Sequence, residues 1–307
     1  MAVVLAVRDV VKVFGEVRAV DGVSFDVQRG TITGLLGRNG AGKTTTIRMI
    51  TGIFMPDSGA IEWAGGAVGD GREFRDRIGY LPEERGLYRQ MKVTENLVFL
   101  AEIKGERGAH VNKAIESWLK RFDLWDKRDA KVEELSKGNQ QKVQLIGTLL
   151  HDPELIILDE PQSGLDPVNM VLVREVLLDL KREGRTILLS THMMAEAERM
   201  ADEIILVHRG KIVLSGSLDE VRSSFGKNTL HIDYDGDGAF LETLPSVMRA
   251  RIGNRSAELS LSEGADPQKI LEAAMTRLRI SRFEVASPSL EEIFIEKVGA
   301  ESIEVAS

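Results

Sequence analysis

Gly37, Arg38, Asn39, Gly40, Ala41, Gly42, Lys43 and Thr44 follow one another in the spacing G-x-x-x-x-G-K-[ST], between an apolar run, TITGLL, and a helix-compatible stretch, TTTIRMITGIF. Glycines let the backbone curl until successive N–H groups face an anion, a lysine brings a cation to the β and γ phosphates of a nucleotide, and a threonine hydroxyl can reach magnesium. Thr45 extends this phosphate-contacting set by one residue. A loop of this kind needs a carboxylate for the metal at the carboxyl end of a neighbouring strand. The run LIIL at 155–158 ends in Asp159 and Glu160. Asp159 would hold magnesium through water, and Glu160 would face the γ phosphate and polarise an attacking water. Without the glycine loop, two acids closing a strand would carry no such meaning.

These residues need a scaffold, and the hydrophobic pattern supplies one. Residues 3 to 36 read as short β-rich runs, VVLAV, VSFDV and TITGLL, separated by the turn-prone AVDG and QRG. From Val93 to about Leu150 the apolar residues of ENLVFLAEI and KAIESWLKRFDL recur three and four apart, a helical insertion. LIILD, RTILLST and EIILVHRG are continuous apolar runs of the kind buried in a parallel sheet, and VNMVLVREVLLDLKREG between them is helical. Past about Phe225, TLHIDYDGDG and AELSLSEG alternate like half-exposed strands. There Asp266 with Pro267 starts one helix, and Ser289 with Glu292 forms a capping box for another. The expected fold class is α/β, a core around the glycine loop with a helical insert at about 88–150, followed by a small α+β domain. The boundaries expected are 1–224 and 225–307.

The 307 residues carry 40 Lys plus Arg against 48 Asp plus Glu, a net charge of −8, so the chain as a whole has no attraction for phosphate polymers or anionic lipid. No nucleic-acid partner is expected. Cysteine is absent, which excludes disulfides and thiolate metal sites. The opening MAVVLAVRDVVKVFG is interrupted by Arg8 and Asp9 before it reaches spanning length. If the chain works at a membrane, a partner must hold it there.

The order of motifs resembles the ATP-binding subunit of ABC transporters over about residues 3 to 220. Leu135, Ser136, Lys137, Gly138, Asn139 and Gln140 are similar to that family's signature LSGGQ, and Ser163, Gly164, Leu165 and Asp166 to its D-loop. His192 follows RTILLST where the family has its switch histidine, and Phe14 stands where the family stacks an aromatic ring on adenine. The resemblance implies a P-loop core with an antiparallel β subdomain and a helical subdomain, ATP and Mg²⁺ as ligands, and ATP hydrolysis. It implies a dimer, of two copies or with a related ATPase subunit, in which Ser136, Gly138 and Asp166 meet the partner's nucleotide. It also implies an integral membrane permease, whose cytoplasmic helix would enter a groove between the Glu83 loop and about Leu87 to Leu100, and a place on the cytoplasmic face of the cell membrane. Physically, Ser136 and Gly138 open a helix whose N-terminal dipole attracts anions.

The sequence departs from the family pattern at two places. Glu83 stands where a glutamine touching magnesium and the attacking water is usual; a carboxylate can ligate the metal but, ionised, cannot donate a hydrogen bond. Lys137 and Asn139 replace Gly and Gln in the signature. LPEERGLY, LSKGNQQK and PSLEEIFIEKV together resemble a subgroup of exporters that includes sodium-extrusion and drug-export subunits. A soluble non-transport ABC ATPase acting on nucleic acid or protein complexes is the competing class. It usually carries a long coiled coil or a second cassette, whereas Lys43 to Ser136 holds only a compact insert. The C-terminal domain would serve dimer contacts, regulation or stability alone.

Overall fold

Two twelve-residue strands, β1 (Val3–Phe14) and β2 (Val17–Gln28), pair antiparallel around a turn at Gly15 and Glu16. AVDG at 19–22, expected as a turn, lies inside β2 instead. Gly22 takes a left-handed φ of 69° opposite Asp9 at 47°, and the pairing register slips between Val7 and Val10. The glycine lets the strand bulge without reversing, so Val20, Val23, Phe25 and Val27 still reach the core. The computed structural model describes residues 2–64, 66–67, 72–84, 86–225, 229–262, 264–286 and 288–304. Arg85, within the LPEERGLY string, lies outside them.

β3 (Ile32–Leu36) is buried at every residue and leads through the glycine loop into α1 (Lys43–Ile50). β4 (Ser58–Trp63) and the two-residue β5 (Gly66–Ala67) complete a sheet of order β2-β1-β4-β5, antiparallel throughout. A short helix, α2 (Arg72–Arg77), precedes β6 (Ile78–Leu81). The helical insert follows as α3 (Val93–Ile103), α4 (Ala109–Arg121) and α5 (Lys137–Leu149). The chain then alternates β7 (Leu155–Asp159), α6 (Pro167–Arg182), β8 (Thr186–Thr191), α7 (Met194–Ala197), β9 (Glu203–His208) and β10 (Lys211–Ser217). These strands form a second sheet, β10-β9-β3-β8-β7-β6, in which β6 to β9 and β3 run parallel. The parallel order brings the carboxyl ends of β3, β7 and β8 side by side, which is where the motif residues sit.

The described chain divides into two units, Met1–Gly216 and Ser217–Ser307, so the break falls ahead of the expected 224/225 boundary. The second unit opens on α8 (Leu218–Ser224), capped reciprocally by Ser217 and Glu220. It continues with β11 (Thr229–Asp235), β12 (Val247–Ile252), β13 (Ser256–Leu261), α9 (Pro267–Met275), β14 (Arg279–Ala286) and α10 (Leu290–Glu304). Its antiparallel sheet has the order β12-β13-β11-β14, with Leu230, Ile232, Leu259, Ile270 and Ala274 in its core. Asp266 caps α9 through the Gln268 N–H, and Ser289 and Glu292 form the capping box read from the sequence.

Glu258 on β13 faces Glu292. The hydrogen bond between the two carboxyl groups, then burial, pushes Glu258 up to about 7. Burial opposes ionisation of Glu292 as well, but hydrogen bonds from Glu258 and Ser289 outweigh it and hold Glu292 below its usual value. A carboxyl whose pKa rises on folding stabilises fully below its unfolded value of 4.5 and loses that contribution as pH climbs through 7. Glu292 acts in the opposite sense, losing its contribution only as the medium becomes acidic. Calorimetry of the full chain should therefore show the second unit's melting temperature falling between pH 5 and pH 8. Glu258→Gln should flatten that profile and raise the pH 8 value by about 5–10 °C, equivalent to about 1–2 kcal/mol for a unit of this size. An unchanged slope would remove the carboxyl pair as its cause.

Candidate phosphate-binding groove and hydrolytic centre

The loop between β3 and α1 rests directly on neighbouring backbone. A Cβ on Gly42 would lie 2.5 Å from the Ala19 carbonyl oxygen, and one on Gly37 would lie 2.3 Å from that of Val207. Gly42 also takes a φ of 106° where it caps α1. Only glycine fits such contacts and such a turn. Ala19, Asn39, Gly40, Ala41, Gly42, Lys43, Thr44, Thr45, Glu83 and Glu160 line a groove of about 410 Å³. Lys43 is buried; its Nζ donates to the carbonyls of Gly37 at 2.8 Å and Arg38 at 3.3 Å, and it lies 3.4 Å from Glu160 Oε1.

Asp159 ends β7 opposite Ser190 of β8. Its Oδ1 accepts from the Ser190 hydroxyl at 2.5 Å and from Thr44 Oγ1 at 3.2 Å. Burial pushes the carboxyl up from its usual value, the two hydroxyls oppose that, and the nearby Glu160 charge reinforces it. Oδ2 is buried with no hydrogen-bond partner among the described residues. A carboxylate with a spare buried oxygen, beside a threonine hydroxyl at the groove floor, fits a magnesium site completed by water and phosphate oxygens. Among the described residues no group of three or more His, Cys, Asp or Glu could hold a metal by itself.

Glu160, one residue past the strand, has a left-handed φ of 50°, and its N–H is tied to the Ser190 carbonyl at 3.1 Å. That backbone turn aims its carboxylate back over the loop. Oε1 faces Lys43, and Oε2 lies 3.0 Å from His192 Nδ1. The histidine stands one residue past β8 and is half exposed. Lys43, Thr44, Asp159, Glu160 and His192, far apart in sequence, are thus joined by direct contacts.

Ser136, Gly138, Asp166 and Phe14, also picked from the sequence, are not part of this groove's lining. Ser136 caps α5, accepting the Asn139 N–H at 3.2 Å. Gly138 is packed against the next loop, where a Cβ would lie 3.3 Å from the Gly164 carbonyl. Asp166 caps α6 and accepts from both the backbone and side chain of Asn169, bonds that hold its carboxyl below the usual range. Phe14 is 44% exposed, edge-on to Phe54 with ring centroids 5.5 Å apart. Glu83 is exposed on the groove lining. Sequence reasoning missed Ala19 and Ser190. Ser190 carried a signal, being a polar residue at the carboxyl end of a buried strand; Ala19 contributes a backbone oxygen and carried none.

The family described as ABC transporter matches residues 20–163, and the C-terminal domain of the DrrA1-3-like ATP-binding proteins matches residues 216–298. The ABC transporter ATP-binding protein YhaQ of Bacillus subtilis (strain 168) is 44% identical over 296 residues, 96% of this chain and 99% of that protein. Nod factor export ATP-binding protein I of Ralstonia nicotianae is 34% identical, over 97% of this chain and 94% of that one. A solved ATP-binding subunit of an ABC transporter superposes with a TM-score of 0.67 at 36% identity, covering 73% of this chain and 93% of that one. Sequence identity along nearly its whole length, the order of its two matched domains and the fold of its first unit agree: the chain belongs to the ABC transporter ATP-binding proteins and is an ATP-hydrolysing subunit of that family.

Proposed function

We propose that this subunit closes with a second copy, or with a related ATPase subunit, around two ATP molecules and thereby drives a separate integral membrane permease, in the direction of export. The observation that carries the reading is the Glu160 carboxylate, held between Lys43 and His192 at the mouth of the glycine loop. The amides of Gly37 to Thr45 cradle the phosphates, Lys43 binds the β and γ groups, and Phe14 stacks on adenine. Glu160 orients a water and takes its proton as the oxygen attacks the γ phosphorus. The bond to the bridging oxygen breaks, and ADP and phosphate leave. His192 keeps the carboxylate and water in line. Magnesium, when bound by Thr44 and Asp159 with Glu83 on the rim, would neutralise triphosphate charge. Ser136, Gly138 and Asp166 complete the neighbour's site.

A permease docking place is supported by a recess of about 200 Å³ whose lining includes Tyr80, Gly86, Leu87, Leu100 and Ile103. Its walls come from the segment after β6, from α3 and from α5. Among the described residues no helix is long and apolar enough to cross a membrane, so contact with a permease is how the subunit would be held at the cytoplasmic face. The direction of export is supported by the likeness to a Nod factor export ATP-binding protein.

Light scattering tests the two-nucleotide clamp. With a non-hydrolysable ATP analogue the mass should double. Ser136→Glu, which puts a carboxylate where a triphosphate would dock, should leave analogue binding to each protomer intact and abolish the doubling. A protomer that stays single under all nucleotide conditions, both alone and mixed with a related ATPase subunit, sinks the reading.

A further inference from the structure

His192 is carried by a segment with little stability of its own. The helix that follows it, α7, has only four residues, too few to persist by backbone hydrogen bonds alone. Met194, Ala197 and Met200 anchor it by burial, and among them lies a charged residue, Glu196, whose side chain is 8% exposed. A buried carboxylate needs compensation on each oxygen. Glu196 Oε2 accepts from Arg174 Nη1 at 2.9 Å and from Gln162 Nε2 at 3.4 Å, while Oε1 accepts from Arg199 at 2.6 Å.

These partners come from separate places. Gln162 is two residues beyond Glu160, Glu196 is four beyond His192, and Arg174 projects from α6, whose own start is fixed by the Asp166 cap. One buried carboxylate therefore ties the loop bearing the proposed base and the segment bearing the histidine to the same rigid helix. Glu160 is already fixed from the other side by Ser190 and by Gln141, whose Nε2 donates to the Pro161 carbonyl at 3.2 Å. His192, half exposed, has the Glu160 contact at its ring and the Glu196 anchor one helical turn away.

We infer that Glu196, clamped by Arg174, is a positioning residue that holds His192 over Glu160 during hydrolysis. The inference rests on the role proposed for His192. It requires that Glu196 act on the rate through the histidine and not on nucleotide binding through the glycine loop, since its hydrogen bonds go to Gln162, Arg174 and Arg199.

The test is a double-mutant cycle on the full chain, reading kcat and KM for ATP. Glu196→Ala should lower kcat by roughly 10- to 100-fold, the scale on which 1 Å misplacement acts, and leave KM within about twofold. In a His192→Ala background the same change should add less than about twofold, because the group it positions is already gone. Arg174→Lys keeps a cation toward Glu196, so it should show a smaller fall with the same non-additivity, and it serves where Glu196→Ala does not fold. Equal factors in both backgrounds, or a loss expressed in KM, would overturn the positioning role. An undiminished kcat for His192→Ala alone would instead overturn the role given to the histidine.

Discussion

Glu160→Gln should lower ATP turnover by about 10² to 10³-fold while ATP remains bound. The exchange keeps the shape of the side chain and removes its capacity to take a proton. The side chain it replaces is 9% exposed, its backbone pinned by Ser190, and its carboxylate flanked by Lys43 at 3.4 Å and His192 at 3.0 Å. A carboxamide can still bridge these groups, so the groove should keep its form and phosphate release is the quantity that collapses. Because opening would follow hydrolysis, ATP-dependent dimers should also accumulate in this variant. Near-normal phosphate release would show that Glu160 is not the base and that its contacts serve folding alone.

The second large effect concerns binding. Lys43→Ala should weaken affinity for a non-hydrolysable ATP analogue by about 10- to 100-fold or more, since hydrogen bonds from a charged donor contribute about 1.5–3 kcal/mol each. Lys43 is held by two loop carbonyls and stays within 3.4 Å of Glu160, so its ammonium sits at the groove floor before any nucleotide arrives. Removing it also leaves the buried Glu160 carboxylate without its cation, which adds repulsion toward phosphate. Titration calorimetry separates the two predictions: the Glu160 variant keeps affinity and loses rate, and the Lys43 variant loses affinity first. Unchanged affinity after Lys43→Ala would contradict the phosphate-binding assignment.

What the sequence made legible follows from how local each signal is. The glycine loop, the buried runs ending in Asp159 and Thr191, the helix start at Ser136 and the caps at Asp266 and Ser289 are read from neighbouring residues, and each appears where expected. AVDG misled because an Asp-Gly pair suits a bulge as well as a turn, and only the pairing with β1 decides between them. Strands β12 and β14 escaped notice because they are the sheet's two edges, where Arg249, Arg251, Arg279 and Arg282 break the apolar alternation. The hydrolytic cluster was legible as a set of residue types, but the Ser190 bond to Asp159 spans 31 positions and the Glu196 bonds to Gln162 and Arg174 span 34 and 22. No spacing rule encodes such contacts.

The glycine loop leans on the carbonyls of Ala19 and Val207 so closely that no side chain could intervene. Its conformation is thus imposed by β2 and β9 and does not wait for a ligand. Freezing a residue's backbone costs about 1–2 kcal/mol in entropy, and for this loop that loss is met during folding. ATP then encounters a pre-organised loop, and none of its attraction has to be spent on ordering that backbone. By the same token, strain introduced into β2 or β9, far from any phosphate, should surface as weaker nucleotide capture.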